Sequence, residues 1–149
     1  DATEMMVVSF MPALLVGFSL QPGQDEAAEL IDTPEYGQML ASDLNTITAV
    51  RDDGVVLAIF GVSAQTENRA LAWCLLGSHC DGYDMLKFTR YAKSVFEKTA
   101  YKRIEAIVKD GFPPAKRWVE MLGFNCETPE GMINWFGNGK RAFLYARGK

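Results

Sequence analysis

The hydrophobic pattern of residues 45–77 predicts three consecutive strands. Residues 45–51 alternate apolar and polar side chains, which is typical of a strand with one buried face. Residues 55–64 are almost wholly apolar, as in a central strand that is covered on both faces. Asp53-Gly54 between them favours the tight turn of a hairpin. Residues 70–77 form a further apolar run, which we interpret as the third strand.

From residue 83 onward the pattern alternates between helices and strands. Residues 83–99 carry an apolar face and predict a helix, and residues 103–109 are a short run with β-branched side chains that predicts a buried strand. Pro113 and Pro114 favour the start of a short amphipathic helix, because proline is tolerated in a first helical turn. Residues 125–128 and 141–147 predict the last strands. This order predicts an α+β fold, with a mixed, mostly antiparallel sheet flanked by helices.

The apolar residues 5–20 are harder to interpret. The run is shorter than the roughly 20 residues of a membrane-spanning helix, and Pro12 and Gly17 interrupt it. We therefore expect a buried helix kinked at Pro12, with an interface in an oligomer or larger assembly as the other interpretation. Residues 25–44 predict a second helix, which Pro34 divides into two parts.

The composition fits one ordinary globular domain over residues 1–149. Hydrophobic residues make up 48% of the chain and charged residues 23%. The net charge of −4 argues against a dedicated nucleic-acid binder. Cys74, Cys80 and Cys126 have no metal-binding spacing, and the single histidine adds none, so we interpret them as reduced thiols in a cytosolic setting without a zinc site.

Two ordered segments resemble a known family. Residues 115–124 carry the pattern A-x-x-x-x-x-x-L-G-F, which resembles the last conserved segment of the GNAT superfamily, the GCN5-related N-acetyltransferases. Residues 69–100 resemble the acyl-CoA-binding strand, loop and helix of that family. The chain is most similar in character to the GNAT-like proteins of tailed bacteriophages, which include an internal virion protein. Asp1-Ala-Thr resembles the end of the first GNAT strand, so we expect most of that strand to precede residue 1 and to be missing from the chain.

The resemblance implies where a cofactor would bind. In the GNAT fold two parallel strands separate, and the pantetheine arm of acetyl-CoA inserts between them. The corresponding strands here are residues 70–76 and 103–109, and the pyrophosphate would lie on the loop after the first of them. The implied cofactor-binding residues are Trp73, Cys74, Leu75, Gly77, Ser78, His79 and Gly82.

The loop departs from the family pattern. It keeps Gly77 and Gly82 but lacks the usual Gln or Arg at its start, and it carries Asp81 and Asp84 where a pyrophosphate would sit. Since carboxylates repel phosphate, we favour the interpretation that one of them caps the following helix. Val119 stands where many GNAT enzymes have a tyrosine that protonates the leaving thiolate.

The remaining candidates for chemistry and contact are few. His79 is a candidate general base, although a lone loop histidine is more often simply solvated, and Tyr91 is the other catalytic candidate. Aromatic and apolar side chains at a glycine-flanked loop tip are typical of contact surfaces. The predicted interface residues are Met132, Ile133, Trp135 and Phe136.

Three functional hypotheses follow. The first is a catalytically degenerate phage GNAT-like protein that acts as a virion or assembly component, located in the virion or the host cytoplasm, with other virion proteins or copies of itself as partners. The second is an acetyltransferase that uses acetyl-CoA to acetylate an amine. The third is a small regulator or inhibitor that binds a protein. The sequence has no DNA-specific motif and predicts no transmembrane segment.

Overall fold

The computed structural model describes residues 5–24, 34–43, 45–137 and 139–148. Its strands are β1 (Met5–Ser9), β2 (Ile47–Arg51), β3 (Val56–Ala64), β4 (Arg69–Leu76), β5 (Arg103–Lys109), β6 (Asn125–Cys126) and β7 (Ala142–Gly148). Its helices are α1 (Pro34–Ala41), α2 (Gly82–Lys98) and α3 (Pro113–Met121), with a short 3₁₀ helix at Pro12–Leu15. The strands form one mixed sheet in the order β1-β2-β3-β4-β5-β7-β6, flanked by the three helices, which confirms the predicted α+β fold.

Contacts within the chain define two compact units. The first comprises Asp1–Val62 and Cys74–Tyr91, and the second comprises Ser63–Trp73 and Ala92–Lys149. The division passes through β3, β4 and α2, so each of these elements contributes residues to both units. That residues 1–149 form a single domain stays a prediction.

The beginning of the chain corrects two expectations. Residues 5–20 do not form a buried helix: they form β1, a loop and the 3₁₀ helix. β1 pairs antiparallel with β2 from Met5↔Arg51 to Ser9↔Ile47 and is an edge strand of the sheet. The first strand of the described sheet therefore lies within the chain, at Met5–Ser9. Pro12 begins the 3₁₀ helix, where proline is tolerated, and the β-branched pair Val7-Val8 suits a pleated edge.

The predicted two-part helix at residues 25–44 is described only in part. α1 begins at Pro34, where the first helical turn tolerates proline. Residues 25–33 and 44, on which the rest of that prediction falls, lie outside the described residues. Gly37 of α1 comes close to the 3₁₀ helix, because a Cβ placed there would lie 3.2 Å from Cβ of Pro12.

The hairpin of β2 and β3 supports the core of the first unit. Its turn has the predicted Asp-Gly chemistry: Gly54 has a φ of 89°, and an Asp53 Oδ1 accepts a hydrogen bond from the Val55 N–H. Leu57, Ala58 and Ile59 of β3 are fully buried. Phe60 meets Phe88 of α2 edge to face, with ring centroids 5.7 Å apart. The first unit thus positions the start of α2 against β3.

The second unit is assembled around β5. β5 pairs antiparallel with β7 along its whole length, from Arg103↔Gly148 to Lys109↔Ala142. Gly123 follows α3 with a φ of 93°, as expected for the residue after a helix end. Phe124 then turns inward and meets Phe96 at a centroid distance of 5.3 Å. The predicted strand, helix, glycine and aromatic sequence is therefore confirmed.

A surface ion pair in the second unit gives a pH-dependent prediction. Arg103 donates hydrogen bonds to Glu127, and these hold the pKa of that carboxyl below its usual value. A depressed folded-state pKa stabilises the fold above the unfolded pKa of about 4.3 and stops doing so as the pH falls through the folded value. We expect Glu127→Gln to lower the free energy of unfolding at pH 7 by less than about 1 kcal/mol, with the difference vanishing in acid.

Urea unfolding at a series of pH values measures this effect. Glu130→Gln, which removes an exposed carboxyl a few residues away, is the matched control and should show no such pH dependence. A loss of stability that stays constant down to acid pH would contradict the ion-pair explanation.

Candidate functional site

The candidate cofactor residues cluster around the end of β4. β4 pairs with β5 in parallel from Arg69↔Arg103 to Leu71↔Glu105, whereas β4 itself continues to Leu76. The backbone N–H and C=O groups at the end of β4 have to be satisfied by hydrogen bonds, so their partners show what covers this end of the strand.

The candidate residues differ in their exposure. Leu75 and Gly77 are buried, whereas Ser78, His79 and Gly82 are exposed. Trp73, in the second unit, is half-buried, and its indole N–H donates to Ser63 Oγ at 3.1 Å. The end of β4 and its loop thus bring most of the predicted set together within the first unit.

Gly77 permits a close approach of backbones. A Cβ placed on Gly77 would lie 2.9 Å from the Leu57 carbonyl oxygen and 3.1 Å from that of Val56. It would also lie 2.9 Å from Cε1 of Phe18. The Gly77 N–H donates to the Leu57 carbonyl at 2.7 Å. The glycine is therefore required by packing against β3, and not by room for a phosphate.

The start of α2 is capped by the side chains of Asp81 and Asp84. Asp81 Oδ1 accepts a hydrogen bond from the Asp84 N–H at 2.8 Å, and Asp84 Oδ2 accepts one from the Asp81 N–H at 3.1 Å. This reciprocal pair is a capping box, with a carboxylate at both positions. The Asp84 N–H bond is the main reason that the pKa of Asp81 lies below its usual value. The predicted capping role is confirmed for both residues.

A cation compensates the buried carboxylate. Asp84 is only 3% exposed, and Arg51 Nη1 donates to its Oδ2 at 3.2 Å. Arg51 Nε also bonds Asp53 at 3.1 Å. The positive end of α2 is thus already satisfied by a buried anion that is itself paired. Nothing in the local sequence indicated Arg51, because it lies in a different strand.

Residues 19–24, which we call the covering segment, lie along the end of β4. Leu20 and Gly77 form an antiparallel bridge. The Gln21 N–H donates to the Leu76 carbonyl at 2.9 Å, and the Ser78 N–H donates to the Ser19 carbonyl at 2.8 Å. The Gly77 N–H points to β3. Because successive residues of a strand point their backbone N–H and C=O groups to opposite edges, those of Leu76 and Ser78 point away from β3. The covering segment therefore pairs with the edge of β4 that faces away from β3.

Side chains add to these backbone bonds. The Leu76 N–H donates to Gln24 Oε1 at 3.2 Å, and Gln21 Nε2 donates to the Cys80 carbonyl at 3.2 Å. The hydroxyls of Ser19 and Ser78 are also hydrogen-bonded to each other. Proline and glycine at positions 22 and 23 favour a turn, but the sequence gives no indication of this pairing.

Comparison with known proteins identifies the architecture. No protein-family model matches the chain, and no curated protein matches it. Solved structures do match. A GNAT-family acetyltransferase from Bacillus anthracis is 13% identical, with a TM-score of 0.72 over 99% of this chain and 96% of that one. The chain has the GNAT fold.

Other GNAT-fold structures match equally well. Ard1 from Thermoplasma volcanium is 12% identical, with a TM-score of 0.74 over 97% of both chains. Spermidine N-acetyltransferase from Vibrio cholerae, solved with CoA and spermine, is 12% identical, with a TM-score of 0.72 over 97% of this chain and 95% of that one. The Bacillus anthracis and Vibrio cholerae proteins are named as acetyltransferases, and none of the three is described as a bacteriophage virion protein.

The loop as it stands does not fit the pyrophosphate of a GNAT cofactor. Free N–H groups at a helix start are what bind phosphate. Here five N–H groups of the loop and helix start already have acceptors within the first unit: those of Gly77, Ser78, Cys80, Asp81 and Asp84. The carboxylates of the capping box add negative charge at the same place. The site would have to rearrange before it could accept a doubly charged group.

The thiols near the loop are not poised as nucleophiles. Burial raises the pKa of Cys74 far above its usual value. Burial, with the Asp84 and Asp81 carboxylates, raises the pKa of Cys80 to about 12. The thiolate is the reactive form, so both groups are unreactive at neutral pH. Within the described ranges, no cluster of three or more His, Cys, Asp or Glu side chains could hold a metal ion, and no helix is long and apolar enough to cross a membrane.

The other catalytic candidates are not gathered into one site. His79 is exposed on the loop. Tyr91 lies nine residues beyond the first residue of α2, which is about 13 Å along the helix axis, and burial raises its pKa. Val119 of α3 is buried and has no proton to donate. The roles of His79 and Tyr91 stay predictions.

The loop tip before β7 exposes large apolar side chains. Ile133 is 70% exposed and Trp135 is 53% exposed, while Met132 and Phe136 are half-buried. Met132 is held by an antiparallel bridge to Ala142. The predicted interface at these residues stays a prediction.

Proposed function

We propose that this domain transfers an acetyl group from acetyl-CoA to an amine. The observation that carries the proposal is the GNAT fold, which matches acetyltransferases over more than nine-tenths of both chains. The edge of β4 that faces away from β3 adds support, because the backbone N–H and C=O groups of such an edge can hold an extended chain that carries amides. A strand edge of this kind suits acyl-CoA, which includes such a chain, better than a nucleotide alone.

Among the described residues, groups that could bind acyl-CoA are easier to identify than a group that could transfer a proton. The Leu76 N–H and C=O and the Ser78 N–H point to the edge at which an acyl-CoA would lie. His79 is the titratable group nearest in sequence, and it could remove a proton from an amine. Val119 cannot give a proton to the leaving thiolate, so we expect slow turnover.

Titration calorimetry with acetyl-CoA tests the proposal. We expect heat of binding that saturates with acetyl-CoA and is absent with ADP at the same concentration, which controls for simple anion binding. Release of the CoA thiol should then rise when amines such as a polyamine or a lysine-containing peptide are added. If millimolar acetyl-CoA produces neither binding nor thiol release, the transferase proposal is wrong.

A catalytically degenerate GNAT-like protein is the second candidate. The capping box at the start of α2 and the buried Val119 favour it, since both remove groups that catalysis would use. Such a protein would act through contacts, for which Ile133 and Trp135 are exposed, and a phage virion is one setting in which it could assemble. A negative titration together with self-association at the loop tip would favour this candidate.

A further inference from the structure

We infer that the covering segment, residues 19–24, is an internal plug that occupies the ligand-binding edge of β4 and leaves when acyl-CoA binds. This inference rests on the proposed function for the identity of the ligand. The position of the plug itself rests on the bridge between Leu20 and Gly77 and on the hydrogen bonds beside it.

The plug offers β4 the same chemical groups that an acyl-CoA would offer. Gln21 presents an amide N–H to the Leu76 carbonyl, and the Gln24 side chain presents an amide oxygen to the Leu76 N–H. The pantetheine arm of CoA is an extended chain with two amides, each of which has one N–H and one C=O. Plug and ligand therefore compete for the same donor and acceptor on Leu76.

The contacts of the plug are polar and lie near the surface. Ser19 and Ser78 are exposed, and Leu20 and Gln21 are only half-buried. The apolar anchor precedes them: Phe18 is buried against Gly77. The polar contacts of residues 19–24 are therefore separate along the chain from the buried ring of Phe18.

A plug lowers affinity by a calculable amount. When only a fraction of molecules has an open edge, the apparent dissociation constant equals the intrinsic one divided by that fraction. Removal of the two side-chain hydrogen bonds that hold the plug should raise the open fraction and so tighten binding by roughly five- to thirtyfold.

A reversible covalent lock gives the direct test. Ser19 and Ser78 are opposite each other in the antiparallel register set by Leu20↔Gly77, and such hydrogen-bonded partners have Cα atoms about 5.5 Å apart, within the range of a disulfide. The variant Ser19→Cys/Ser78→Cys, made with Cys126→Ser to remove the exposed thiol, should bind acetyl-CoA at least about tenfold more weakly when oxidised than when reduced. Peptide mapping verifies the bond, and the Cys126→Ser protein alone should not respond to reductant.

A loosened plug gives the opposite change. We expect Gln21→Ala/Gln24→Ala to bind acetyl-CoA roughly five- to thirtyfold more tightly than the native chain. Gln38→Ala, at an exposed glutamine of α1, is the matched control and should leave affinity unchanged. Equal affinity of the oxidised, reduced and loosened forms would overturn the plug while leaving the transferase proposal intact.

Hydrogen exchange tests the plug without any ligand. The Leu76 and Ser78 amides, which pair with the plug, should exchange faster than the Gly77 amide, which pairs with β3. The Gln24→Ala change should accelerate exchange at Leu76 further. If no form binds acetyl-CoA, the proposed function fails and exchange alone decides the mobility of the plug. If the Leu76 and Ser78 amides exchange only through global unfolding of the protein, the segment is fixed and the inference is overturned.

Discussion

Replacing Asp84 with alanine should lower the free energy of unfolding by about 3 kcal/mol. The carboxylate is buried, bonds Arg51 Nη1 at 3.2 Å and accepts the Asp81 N–H at 3.1 Å. Its removal leaves a half-buried guanidinium without this partner and opens the capping box at the start of α2. Urea unfolding followed by circular dichroism measures the change.

Two further variants separate the causes of this loss. Asp84→Asn keeps an oxygen that can accept the Asp81 N–H but removes the charge opposite Arg51, so its loss should be intermediate. Glu97→Ala removes an exposed carboxylate from the same helix and should change stability by less than about 0.5 kcal/mol. A loss of under about 1 kcal/mol for Asp84→Ala would mean that the buried pair contributes little.

Gly77→Ala is expected to cost about 2 kcal/mol, within the range for overpacking a filled site. The added methyl group would meet the carbonyl oxygens of Leu57 and Val56 and the ring of Phe18 at 3.1 Å or less. Two of these three neighbours are backbone atoms, which cannot rotate away. The β3 backbone or the Phe18 ring would have to shift, and thermal or urea unfolding would record the strain.

Gly82→Ala is the matched control for this change. A Cβ at Gly82 would meet nothing within 4 Å, and Gly82 is the first residue of α2, where alanine has the better helix propensity. We expect Gly82→Ala to be neutral or slightly stabilising. If both substitutions had the same effect, close packing at Gly77 would not be the reason for its glycine.

The sequence predicts the strands and helices from residue 45 onward with small errors at their ends. Their signals are local: alternation in β2, the Asp53-Gly54 turn, and the glycine after α3. The apolar pattern wrongly predicts a helix at residues 5–9, because their strand character depends on pairing with β2, about forty residues away. An edge strand with several apolar residues in succession has no distinctive period.

The candidate site shows the same division between local and distant contacts. Asp81 and Asp84 are three residues apart, so their capping role could be predicted from spacing alone. Arg51 lies 33 residues from Asp84, and Gln21 lies 59 residues from Cys80. Contacts at such separations depend on the assembled fold, and the hydrophobic pattern of the sequence does not predict them.

The alternation along β5 determines how safely this strand can find its partners during folding. Ile104, Ala106 and Val108 face inward, and Arg103 and Glu105 belong to the alternate positions, which are half-buried. Glu105 joins Arg69 and Arg103, at 3.5 and 2.9 Å. A slip of one residue would bury these charges and expose the apolar face, since strand side chains alternate with a period of two. Misregistered pairing of β5 is therefore strongly penalised, which protects the chain against incorrect strand association in its partly folded states.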